Sequence, residues 1–81
     1  MNDHQIDYLK RELYKDTLSY INHGMFKSKH DALSYLNGVG ATLDVLAKIT
    51  HELTLEVRHE IGTLLFELLI DETNWVDSKL D

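Results

Sequence analysis

The chain has 81 residues, no cysteine and no proline, and is 43% hydrophobic and 27% charged, which excludes a disulfide framework and any thiolate metal or redox site. Fourteen acidic against eight basic residues give a net charge of -6, which opposes close approach to phosphate backbones or anionic lipid. Direct nucleic-acid binding and membrane association are therefore disfavoured.

A domain of this size buries only about 60 to 65% of the surface its unfolded chain exposes, so its core is marginal. An oligomer interface or a His/carboxylate metal site is the expected supplement. The opening Met1-Asn2-Asp3-His4-Gln5 has neither the basic nor the apolar region of a signal peptide, and no apolar run approaches the roughly 18 residues of a membrane span. A cytoplasmic location is expected.

Leucine is the commonest residue, proline is absent and there are only four glycines, so local propensity favours helix nearly everywhere and predicts an all-α small helical bundle. Asn2 or Asp3 can cap a first helix in which Ile6, Leu9, Leu13, Thr17, Tyr20 and Ile21 recur at helical spacing. Asn22-His23-Gly24 ends it at about residue 22, with Gly24 suited to a left-handed C-terminal cap. After Met25 and Phe26, Ser28 lies three positions ahead of Asp31, the signature of a second helix start.

From Ala32 an apolar stripe runs through Leu36, Val39, Leu43, Leu46, Thr50, Leu53 and Val57, and Ile61, Leu64 and Leu68 carry it onward. Two divisions of this stretch follow. The Asn37-Gly38-Val39-Gly40 turn chemistry favours helices at about 29–37 and 41–76. The alternative keeps both glycines inside a helix at about 29–49 and turns near Ile49-Thr50-His51, with Thr50 or Thr54 capping a third helix at about 53–76. The unbroken register tips the balance toward the first, with its long C-terminal helix.

Leu64-Leu65-Phe66-Glu67-Leu68-Leu69-Ile70 is apolar on every side of a helix except at Glu67, and one neighbour on one face cannot cover it. A two-fold homodimer through Leu65, Phe66, Leu69 and Ile70 is the expected solution. The other solution is a central helix within a monomeric bundle.

Glu52, Glu56, Glu60, Glu67 and Asp71 fall within about 100° of one another on a helical wheel. Such a stripe is either a solvated face or a docking surface for a basic partner, of which a mimic of DNA phosphates is the extreme form. Glu56-Val57-Arg58-His59 also contains a Glu-x-x-His element, and Glu52 lies one turn before it. This spacing resembles the ligand pattern of carboxylate-bridged di-metal bundles, making Glu52, Glu56 and His59 candidate metal ligands. Those sites, however, use inward-facing ligands, and this face is opposite the apolar stripe. Tyr14, off the main stripe of its helix, and Trp75 are candidate aromatic contacts for a partner.

No serine stands in a nucleophile-elbow context, no histidine is joined to a nucleophile and an orienting acid, and Gly38-Val39-Gly40 lacks the rest of a phosphate loop. A helix-turn-helix around Gly38 would present Asp44 where a phosphate contact is wanted. Neither enzymatic activity nor a cofactor is expected. No residue pattern resembles a known family, although small acidic helical proteins with more lysine than arginine are frequent among accessory, regulatory and phage-borne bacterial proteins. The sequence thus points to a homodimeric interaction module that binds and modulates another protein. The runners-up are a metal-binding helical protein and a self-assembling structural component.

Overall fold

The apolar periodicity of the first segment forms helix α1, Asp3–Asn22, in a computed structural model that describes residues 3–73. Gly24 ends α1 with φ +68°. Its N–H donates to the Ile21 carbonyl at 3.1 Å, and the Met25 N–H donates to the Tyr20 carbonyl at 2.9 Å. This double closure satisfies carbonyls that the helix end would otherwise leave open, and it needs a residue that tolerates positive φ.

Helix α2, Lys29–Ala47, starts on Ser28, whose extended backbone leaves its hydroxyl free to accept from the Asp31 N–H. The Asp31 carboxylate reaches back and accepts from the Lys27 N–H at 2.9 Å. Acceptors from both sides thus close the helix start.

The helix runs through Gly38 and Gly40 without a break, so the long helix expected from 41 onward does not form. Each glycine costs about 1 kcal/mol relative to alanine, but Leu36, Val39 and Leu43 keep their register against the core. The chain turns instead between Lys48 and Thr54. There the Ile49 and Thr50 N–H groups both turn back to the Leu46 carbonyl, and Thr50 Oγ1 donates to the Glu52 carboxylate at 3.0 Å. Thr54 then caps helix α3, Leu55–Thr73, its hydroxyl accepting from the Val57 N–H at 3.2 Å. Hydroxyl side chains make this break without glycine or proline.

Helix α3 packs against both α1 and α2, whereas no Cα atoms of α1 and α2 approach within 8 Å. It is the central helix, and that position explains why Leu65, Leu68 and Leu69 are all buried. Leu43, Leu53, Ile61 and Leu65 form the buried core, with Leu9, Leu13, Leu36 and Val57 packed around it. Leu65 and Leu69 retain 0% and 3% of their exposure. They face the chain's own interior, contrary to the expectation that they lie open for a second subunit: Leu65 shares a hollow with Leu36, Val39 and Leu43 of α2, and Leu69 with Ala32, Leu33 and Leu36.

The contact that α1 and α2 do make is through side chains. Thr17, fully buried, shares a 2.8 Å hydrogen bond with the Tyr35 hydroxyl. Tyr35 also meets Tyr20 edge-on at a centroid distance of 5.4 Å and Phe26 at 5.1 Å, closing the end of the bundle where α1 turns into α2. No helix among the described residues is long and apolar enough to cross a membrane.

Candidate functional site

Helix α3 turns its apolar side inward, and the same periodicity carries Glu56, Glu60, Glu67 and Asp71 to the exposed side. Glu52 does not join them: it precedes α3 and belongs to the turn, bonded to Thr50. The acidic face therefore begins at Glu56, in the first helical turn, where a carboxylate also complements the helix dipole.

Among the described residues Arg58 and Lys10 lie near this face, and the structure gives them different tasks. Arg58 reaches toward α2, with Nη1 2.6 Å from Asp44 Oδ1 and Nε donating to the Thr54 carbonyl at 3.3 Å. It fastens the α2–α3 turn and is directed away from the carboxylates of α3. Lys10 comes from α1, its Nζ 3.2 Å from Glu60 Oε2. The sequence pattern concealed this pairing, since fifty residues separate the partners.

Between α1 and α3 opens a hollow of about 590 Å³ lined by Lys10, His59, Glu60, Thr63, Leu64 and Glu67. Half-buried Leu64 offers an apolar surface between two exposed carboxylates one heptad apart. A lysine or arginine can lay its methylene stem on such a surface while its charged head meets a carboxylate.

The candidate metal ligands do not come together as a set. Glu56 and His59 are exposed on α3 and Glu52 lies in the turn. The described residues contain no group of three or more His, Asp or Glu side chains able to hold a metal ion. Tyr14 is 38% exposed, while Trp75 lies outside the described residues. Of the four residues expected at a subunit boundary, Phe66 is 45% exposed, and Ile70 is half-buried in a small hollow with Leu33 and Leu36 of α2.

The separation of α1 from α2 leaves a second feature, an apolar groove of about 450 Å³ between Leu9 and Leu13 on one side and Val39, Leu43 and Leu46 on the other. Each residue was legible as core, but the separation of the two helix backbones was not. Compared with family models, with curated proteins and with solved structures, the chain matches none.

Proposed function

We propose that the protein is a non-enzymatic, homodimeric interaction module that docks a basic protein on the acidic face of α3 and thereby modulates it. The observation that carries this is the hollow between α1 and α3, where Glu60 and Glu67 flank Leu64. It combines an apolar rest with two carboxylates, Glu67 and the Lys10-bound Glu60, on a chain of net charge -6. The summed field steers a cationic partner toward the surface, and the local geometry receives its side chains.

Capture from lysate with the wild type and with the triple variant Glu56→Gln, Glu60→Gln, Glu67→Gln tests the assignment. Binding partners should be basic. Their association with the variant should be slower and less dependent on salt, because exposed charges are screened over about 10 Å at 0.1 M. Equal capture and equal salt dependence would remove the acidic face from the function.

A further inference from the structure

The groove between α1 and α2 is bounded by a helix unlike the other two in its charge. The twelve residues from Ala32 to Leu43 include no charged side chain. Outward from the core, α2 presents exposed Ser34, Gly38, Ala41, Thr42 and Val45, of which Val45 keeps 57% of its exposure, and Ile49 just beyond the helix keeps 79%. Helices α1 and α3, by contrast, carry Asp7, Asp16, Glu56, Glu60 and Glu67 on exposed positions.

We propose that this uncharged face of α2, together with the adjoining groove, seats α2 of a second copy in an antiparallel two-fold pairing. The proposal rests on the homodimeric part of the reading above and gives it a surface, one distinct from the acidic hollow.

Charge selects the occupant. Two copies of a chain with net charge -6 repel wherever α1 or α3 face one another, and the stretch from Ala32 to Leu43 brings no like charges into opposition. An antiparallel pair centred between Val39 and Gly40 also sets Asp31 of one copy beside Lys48 of the other at both ends, so one arrangement satisfies two ion pairs by symmetry. The helix dipoles oppose in the same arrangement.

Shape supports the same occupant. A Cβ built on Gly38 meets nothing within 4 Å, so the space over the helix is open. Small side chains there allow an approach at the short end of the usual interaxial range of about 8 to 10 Å. Seating a helix against Leu9, Leu13 and Leu46 would cover apolar surface that the chain leaves only half-buried, the kind of supplement that a core of this size calls for.

Light scattering and sedimentation at micromolar concentration, on the full chain, test the proposal with three variants. Gly38→Arg and Thr42→Arg place a cation in the proposed seam at positions exposed in the isolated fold, and Phe66→Lys probes the exposed side of α3. The wild type should have about twice the chain mass and a melting temperature that rises with concentration. Both arginine variants should have the mass of one chain with helical circular dichroism retained, while Phe66→Lys should remain dimeric. Because the chain has no cysteine, Ala41→Cys should give a disulfide-linked dimer under mild oxidation.

A wild type at the mass of one chain would overturn both the dimer and its surface. A dimer that withstands both arginine variants but is dissociated by Phe66→Lys would keep the homodimer and overturn the assignment to α2. Loss of basic partners on neutralising Glu56, Glu60 and Glu67, with the dimer intact, would leave this proposal standing, so the two surfaces fail separately.

Discussion

The Thr17 hydroxyl lies 2.8 Å from the Tyr35 hydroxyl, joining α1 to α2 where the two backbones otherwise stand apart. Thr17 is wholly buried, so a lost partner there is not replaced by bulk water. Tyr35→Phe should destabilise the fold by about 1 to 3 kcal/mol, the usual cost of a buried polar group left unpaired. Adding Thr17→Val to it should recover much of that loss, since removing both partners leaves nothing unsatisfied. Urea unfolding of the two single variants and the double variant measures the coupling. A neutral Tyr35→Phe would show that the bond contributes nothing.

Burial pushes the Tyr35 phenol above its ordinary value; the Thr17 hydrogen bond opposes the shift, and the neighbouring Tyr20 and Asp16 reinforce it. A phenol whose folded-state value is raised is held neutral by the fold, so its contribution is complete below the unfolded value of about 10. It is lost as pH rises through the folded value. Wild type should therefore lose stability faster than Tyr35→Phe as pH rises above about 10. Parallel denaturation midpoints across that range would contradict the assignment.

Features written by local chemistry were legible in the sequence. Gly24, and Ser28 with Asp31, announce a helix stop and start within a few residues, and the structure uses both as caps. The second break was harder to place because two signals conflict. Gly38 and Gly40 advertise a turn, while Thr50 and Thr54 supply capping hydroxyls without breaking the apolar register. Tertiary packing of Val39 and Leu43 against the core outweighs the glycine propensity. Leu65 and Leu69 were misplaced because a helical wheel shows which positions are apolar and not which neighbour covers them. The Lys10–Glu60 pairing and the groove beside Leu9 are relations between distant segments, which no periodicity encodes.

The glycines separate into two kinds by backbone conformation. Gly40 and Gly62 border a hollow between α2 and α3, and a Cβ on either meets nothing within 4 Å. Alanine at each should stabilise by about 0.5 to 1 kcal/mol, from helix propensity and a less disordered unfolded state. Gly24→Ala should instead destabilise by about 1 to 2 kcal/mol, because φ +68° is strained for an L side chain. Thermal melts of the three variants check the signs, and a stabilising Gly24→Ala would contradict the Gly24 cap.

The position of the second turn can be decided by the sign of one substitution. Thr54 caps α3 through a 3.2 Å bond from the Val57 N–H, so Thr54→Ala removes that acceptor and should cost about 1 kcal/mol. If residues 41 to 76 formed one continuous helix, Thr54 would lie in its interior, and alanine, the better helix former, would stabilise by a few tenths of a kcal/mol. Leu53 and Leu55 sharpen the contrast. Leu53, within the turn, is 1% exposed, whereas Leu55 keeps 73% of its exposure. Leu53→Ala should cost about 2 to 5 kcal/mol as a core truncation, while Leu55→Ala should stay within about 0.5 kcal/mol of wild type. Chemical denaturation of the three variants supplies the comparison. A destabilising Thr54→Ala with a large Leu53 effect and a small Leu55 effect fits only a chain that turns between Lys48 and Thr54 and tucks Leu53 under the bundle. A stabilising Thr54→Ala would instead restore the long helix.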